Sequence, residues 1–334
     1  MSWRVLITSK AMVEVGQPAL DLLAAAGCRM TFPTEYRPRG GAELEALVKD
    51  HDAVLATVDK FSKAVFQSEA ARDLKIVSRW GVGYDSIDVA AATQAGVTIA
   101  YTPALLDETV ADLTFALMLG IARRIPEGDA GMRAGAWRPL WGGNVHGKTL
   151  GLVGCGRIGQ AVAKRARGFD MRILSYDVRP SEAAKAQGVE FVSLDELLAQ
   201  SDFVSLHAAV TPENRGLIGG AQFKRMKRTA YFINAARGAL VDETALANAL
   251  GDGLIAGAAV DTYDVEPLPA ESPLRRAPNL VLSPHQASFT SETGLKVSLA
   301  AAQAILDLLQ QRRPKTPLNP EVFDSPHFRA RLHA

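Results

Sequence analysis

The 334-residue chain is short of cysteine, of long apolar runs and of net charge, and each shortage removes a class of function. Two cysteines, Cys28 and Cys155, cannot build the disulfide framework of a small secreted domain. No apolar stretch reaches the roughly 18 residues that a membrane-spanning helix needs. Met1 to Lys10 runs straight into a strand-like Val5-Leu6-Ile7-Thr8 without an apolar signal core, so a soluble, cytoplasmic protein is expected. A formal net charge of +1 gives no electrostatic footing for nucleic acid or an anionic membrane. Gly-x-Ser-x-Gly elbows and Walker-type lysine loops are missing. His51, His146, His327 and His333 fall in helix-end, loop or tail settings without metal-ligand spacing, so no metal is expected.

What the chain does contain is organised around residues 149–177. Thr149 to Val153 is an apolar, β-branched run, followed by Gly154, Gly156 and Gly159 in G-x-G-x-x-G spacing. Gln160 to Phe169 suits a helix, and Ile173 to Tyr176 a second buried strand ending on Asp177. The first glycine permits a tight turn, the second lets backbone N–H groups approach a pyrophosphate, and the third lets the helix sit close on the strand. The helix N-terminus adds donors and partial positive charge. A carboxylate at Asp177 can bond both ribose hydroxyls and repels a 2′-phosphate, which favours NAD over NADP; Arg179 softens that preference.

Length alone favours two domains. Ahead of the glycine motif, strands at residues 4–8, 53–56, 76–78 and 97–100 alternate with helices at 17–26, 42–49, 63–71 and 88–95, the pattern of a parallel sheet covered on both faces. Gly81-Val82-Gly83 follows a strand directly, where exposed N–H groups can meet a small anion. Residues 107–124 read as a long helix connecting the domains. Residues 126–147 lose periodicity and carry six glycines with Trp137 and Trp141, which predicts a dimerisation arm. Beyond the motif, strands at 203–206, 230–234, 255–260 and 280–282 end on His207, Arg237, Glu266 and His285. A helix at about 292–311 and an extended tail, TPLNPEVF, complete the chain.

In an open parallel sheet the carboxyl ends of the strands are where ligands bind. Beside a nicotinamide, His285 suits the proton exchange that accompanies hydride transfer, because imidazole titrates near neutrality. Glu266 can orient it and stabilise its protonated form. Arg237 is a planar, permanently charged clamp for a substrate carboxylate. His207 is a competing base. The set suits a 2-hydroxy or 2-oxo acid.

The segments SRWGVGYDSID, VADLTFALMLGIARRI, GKTLGLVGCGRIG, INAARGALVDETAL, AAVDTYDVEP and SPHQAS resemble, in order, those of the D-isomer-specific 2-hydroxyacid dehydrogenase family, over nearly the whole chain. The resemblance implies an α/β fold of two doubly wound parallel-sheet domains. An NAD-binding Rossmann domain, residues 103–286, would be inserted into a discontinuous flavodoxin-like substrate domain, residues 1–102 and 287–334. It implies Arg237, Glu266 and His285 as the catalytic set. Val82 and Gly83 would join Arg237 on the substrate carboxylate. The cofactor would be NAD, held by Gly154, Gly156, Arg157, Ile158, Gly159, Asp177, His207, Ala208, Ala235 and Asp261, with Asp261 meeting the nicotinamide amide and His207 bordering the adenosine. Residues 126–147 would form the homodimer arm. Gln286-Ala287-Ser288-Phe289 departs from the family's Gly-rich turn, and Ala209 stands where proline is common. Ala56-Thr57-Val58 lacks the arginine that phosphoglycerate dehydrogenases use for phosphate, Trp80 is bulkier than their small residue, and no further C-terminal regulatory domain is expected. Glyoxylate or hydroxypyruvate is therefore the expected type of substrate, with D-3-phosphoglycerate the alternative. Glu266 argues against formate dehydrogenases, which place glutamine there. An NAD(H)-sensing corepressor or scaffold is the reading from another class.

Overall fold

The computed structural model describes residues 2–332, so His333 lies outside the described residues. Two compact units are present, Met1–Leu106 with Ser288–Ala334, and Asp107–Ala287. Their boundaries fall at 106/107 and 287/288, against the expected 102/103 and 286/287.

In the first unit, β1 (Arg4–Ile7), β2 (Arg29–Thr31), β3 (Ala53–Ala56), β4 (Ile76–Arg79) and β5 (Thr98–Ala100) form a parallel sheet in the order β2-β1-β3-β4-β5. Side chains alternate between faces along a strand, so both faces must be apolar here. Val5, Ile7, Leu55 and Ile76 pack with the helices Gln17–Ala25 and Ser291–Leu309. Leu6, Val54, Val77 and Ile99 pack with Gly41–Val48, Lys63–Gln67 and Val89–Gln94. The helix expected over 63–71 breaks at Ser68, whose ψ of 149° is extended, and resumes as one 3₁₀ turn, Glu69–Ala71. The tail lies along β5: Leu318 N–H donates to Ile99 O (2.7 Å), and the buried Asn319 side chain accepts from Ile99 N–H (2.8 Å) and donates to Val97 O (2.9 Å). It is extended only to Asn319, because Pro320 starts a 3₁₀ turn, Pro320–Asp324.

The second unit holds β6 (Thr149–Val153), β7 (Arg172–Tyr176), β8 (Val189–Phe191), β9 (Phe203–Leu206), β10 (Tyr231–Asn234), β11 (Gly257–Val260) and β12 (Leu280–Leu282). All neighbours are parallel, in the order β12-β11-β10-β9-β6-β7-β8. Strand order reverses between β6 and β9, the kind of switch point where a crevice opens at the carboxyl edge. The helix Asp107–Ala122, expected as a connector, belongs to this unit. Its Phe115, Met118 and Ile121 join the core under the helix Arg157–Ala166, and Arg165 pairs with Glu108 (2.6 Å) and Asp112 (2.7 Å). The stretch 126–147 is not wholly irregular, since Ile125–Arg133 is a helix.

Candidate active site

The glycine turn fits a dinucleotide pyrophosphate on its local geometry. Gly154 sits at φ +94°, and a Cβ there would meet Ala208 N at 2.6 Å. A Cβ on Gly159 would meet Gly154 O at 2.5 Å, so helix and turn touch backbone to backbone. A Cβ on Gly156 meets nothing within 4 Å: the open side of the turn lies at the residue that N-caps the helix Arg157–Ala166. No side chain caps that helix, leaving the N–H groups of Arg157 and Ile158 as donors for phosphate oxygens. Asp177, just past β7, reaches back to the turn, accepting from Cys155 N–H (2.7 Å) and Arg179 N–H (2.8 Å). The carboxylate is thereby fixed beside the glycines.

Three loops at the carboxyl ends of β10, β11 and β12 carry Arg237, Glu266 and His285. His285 Nδ1 and Glu266 Oε2 are 2.7 Å apart, with side chains 31% and 23% exposed. Burial works to raise the Glu266 pKa, but the hydrogen bond and charge of His285, the Tyr263 N–H (3.0 Å) and the charge of Arg237 outweigh it, and the net shift is downward. An ionised Glu266 makes Nδ1 the donor and leaves Nε2 as the ring nitrogen that can exchange a proton. Arg237 donates through one Nη to Ala236 O (2.8 Å), which sets its stem. The following Gly238 is pressed on the Glu266 loop, where a Cβ would meet Tyr263 C at 1.9 Å. Arg237 and Glu266 are thus held together by a contact that only glycine permits.

The Asp261 carboxylate is fully buried and accepts three hydrogen bonds from the His285 turn. His207 turns inward, its Nε2 2.8 Å from Ser205 Oγ, and burial lowers its pKa to about 4. It is neutral at pH 7, and its Nδ1 is shielded without a hydrogen-bond partner. Ala208 backs Gly154, and Ala235 is buried after β10. In the first unit, Val82 and Gly83 make no hydrogen bond through their N–H groups, so both can receive an anion. The loop they form rests on Arg79, whose buried guanidinium donates to Gly83 O (2.7 Å). Sequence reading missed Arg79, although an arginine closing an apolar strand before glycine was a usable sign. It also missed Ser283 and Tyr263, for which no local sign exists.

A reversing parallel sheet, an uncapped glycine turn at its switch point and a histidine–glutamate pair beside an arginine define a nicotinamide-linked dehydrogenase. Residues 115–287 match the family model described as "D-isomer specific 2-hydroxyacid dehydrogenase, NAD binding domain". The chain is 46% identical over 283 residues to a glyoxylate reductase of Korarchaeum cryptofilum, covering 82% of this chain and 85% of that one. It is 40% identical over 282 residues to a D-3-phosphoglycerate dehydrogenase of Methanocaldococcus jannaschii, covering 83% of this chain but 53% of that one. Among solved structures, a glyoxylate reductase from Paecilomyes thermophila superposes with a TM-score of 0.83 at 31% identity, covering 96% of this chain and 99% of that one. The chain belongs to the D-isomer-specific 2-hydroxyacid dehydrogenase family and is an NAD-dependent oxidoreductase acting on 2-hydroxy acids.

Proposed function

We propose that the enzyme reduces glyoxylate, or a similarly small unphosphorylated 2-oxo acid, to the corresponding D-2-hydroxy acid. The observation that carries this reading is the 2.7 Å pair of His285 and Glu266 beside Arg237, together with the similarity to glyoxylate reductases. When bound, NADH supplies the hydride. Arg237 holds the substrate carboxylate by two parallel charge-assisted bonds. His285 Nε2 delivers a proton to the carbonyl oxygen as the carbonyl carbon gains its hydrogen, and Glu266 stabilises the imidazolium before transfer. The Val82–Gly83 loop has unengaged N–H groups that suit a carboxylate. Arg157 and Ile158 N–H groups take the pyrophosphate, Asp177 the ribose, and the segments at Ala208 and Ala235 border the nucleotide.

A panel of 2-oxo acids assayed with NADH and NADPH tests this, with glyoxylate and hydroxypyruvate expected to exceed 3-phosphohydroxypyruvate. The phosphorylated acid prevailing would install the phosphoglycerate alternative. No turnover with any acid would favour an NAD(H)-sensing role. Asp177→Ala should raise KM for NADH about tenfold, since charge-assisted hydrogen bonds to the ribose disappear, while KM for NADPH stays within about threefold. A parallel rise for both cofactors would remove Asp177 from the ribose.

The reading includes a homodimer through residues 126–147. Trp137 and Trp141 are 87% and 95% exposed, and Ile125 and Met132 are exposed with them. Apolar surface of this size on one arm marks an interface. The double change Trp137→Ser and Trp141→Ser should convert the dimer to a monomer in size-exclusion chromatography with light scattering; a wild-type monomer would end this part of the reading. We place the enzyme in the cytoplasm, where its two free cysteines stay reduced.

A further inference from the structure

We propose that Glu243 is a positioning residue for Glu266: its carboxylate holds the backbone of the loop that presents Glu266 to His285. The proposal rests on the reading of His285 as the acid/base. Glu243 opens the helix Glu243–Gly251, and Asp242 caps that helix by accepting Ala245 N–H (2.9 Å). An acid in a first turn ordinarily serves its own helix, through the dipole and the free N–H groups. Glu243 instead reaches out of the helix, and its Oε1 accepts Asp264 N–H (2.8 Å), 21 residues further on. The preceding donor, Tyr263 N–H, goes to Glu266 Oε1 (3.0 Å). Two successive backbone donors of the loop are thus taken by two glutamates, one from the loop itself and one from the helix.

The loop after β11 is irregular until the 3₁₀ turn Pro273–Arg276, so these bonds set its path. Other contacts converge on the same peptide group. A Cβ on Gly238 would meet Tyr263 C at 1.9 Å and Asp264 N at 2.1 Å, which places the turn after Arg237 directly against it. The Asp264 carboxylate accepts from Arg215 (3.0 Å), and the next residue, Gly216, donates its N–H to Ala239 O (2.9 Å). The Tyr263–Asp264 peptide is therefore pressed by one segment and tethered by Glu243, with Glu266 two residues later. Glu243 is partly buried, and burial raises its pKa with help from the charges of Asp264 and Glu266, against the Asp264 N–H. Its own charge bears on Glu266 in turn. The titratable groups around the two glutamates are Arg237, Asp242, Asp261, Tyr263, Asp264 and His285, with Arg215 on Asp264. The packed elements Gly220–Arg225 and Pro273–Arg276 add Lys224, Arg225, Arg275 and Arg276. Arg225 pairs with Asp195, and Arg275 donates to the Leu268 and Pro269 carbonyls.

Glu243→Gln, Glu243→Asp and His285→Ala are compared for NADH dissociation constant by fluorescence, kcat and KM for glyoxylate at saturating NADH across pH, and thermal melting. Gln keeps the reach and an acceptor oxygen without the charge. Asp keeps the charge and, one methylene shorter, loses the reach; it also suits a helix's first turn, so the fold should be retained. Glu243→Asp is expected to lower kcat about tenfold, with KM and the NADH constant within about twofold, since a displaced Glu266 costs proton transfer and not binding. Glu243→Gln should hold kcat within about twofold of wild type, because the bond to Asp264 N–H survives. The acid limb of the profile should move to higher pH in Glu243→Asp, where Glu266 loses part of what lowers its pKa. In Glu243→Gln it should move to lower pH, because a like charge is gone. Glu243→Gln impaired as much as Glu243→Asp, or more, would make the charge and not the bond the operative feature and overturn the proposal. Wild-type kcat and acid limb in both variants, with only melting changed, would reduce Glu243 to a structural contact and overturn it as well. Full turnover by His285→Ala brings down the acid/base reading and the proposal with it, whereas an inactive His285→Ala beside an unaffected Glu243→Asp brings down the proposal alone.

Discussion

His285→Ala is expected to lower kcat for glyoxylate reduction about 10³-fold, within the range that a positioned acid contributes, while NADH binding stays within about twofold. The side chain sits on the loop after β12, away from the glycine turn and Asp177 in the chain, so the two effects should separate. Reduction consumes a proton that must arrive as the carbonyl oxygen gains charge. With alanine, water is the only donor, and it is far less acidic than an imidazolium. The direction of the pH dependence follows from the same proton. Reduction takes up a proton and falls as pH rises, whereas oxidation of the hydroxy acid releases one and rises. Both limbs should vanish in the variant. Glyoxylate turnover that retained its alkaline limb would show that another group carries the proton. His207 is a poor substitute, because desolvation lowers its pKa to about 4 and one ring nitrogen is turned to Ser205.

How much of this was legible in the sequence depends on how far apart the partners lie. The glycine turn is local: Gly154, Gly156 and Gly159 run from the end of an apolar strand into the first turn of a helix, with Asp177 closing the next strand, so spacing and flanking elements together point to a phosphate-binding loop. Arg237, Glu266 and His285 were recoverable because each follows an apolar strand, and parallel topology brings strand ends to one edge. The Asp261 turn was not recoverable, since its partners lie 22 to 26 residues away and pair through two backbone N–H groups that carry no sequence mark. The strands β2 (Arg29–Thr31) and β8 (Val189–Phe191) went unread for a different reason: three residues each are too few to establish a period. The helix Ile125–Arg133 contains Gly128 and Gly131 and buries no side chain, so periodicity could not reveal it. Ion pairs of Arg124 with Glu127 (2.5 Å) and of Arg133 with Asp129 (2.8 Å), one turn apart, support it instead.

Arg237→Gln is expected to lower kcat/KM for glyoxylate about 10³-fold, the loss of two charge-assisted hydrogen bonds to a carboxylate. Most of it should appear in KM, because the carboxylate is bound alike in substrate and transition state. Arg237→Lys should recover only part of the loss, since an ammonium keeps the charge but not the planar fork. The control is a 2-oxo compound with an amide in place of the carboxylate, which wild type and Arg237→Gln should reduce at similarly low rates. A large difference on the amide would mean that Arg237 acts on the carbonyl or on the protein instead. A second consequence separates those possibilities. The charge of Arg237 is one of the influences that lower the pKa of Glu266, and Gly238 seats it directly against the Glu266 loop. Removing that charge should raise the Glu266 pKa, so the acid side of the pH profile should move to higher pH even with saturating substrate. Arg237→Lys, which preserves the charge, should leave that limb in place while still failing to restore KM. Recognition of the acid and tuning of the histidine's partner would then be two separable roles of one guanidinium.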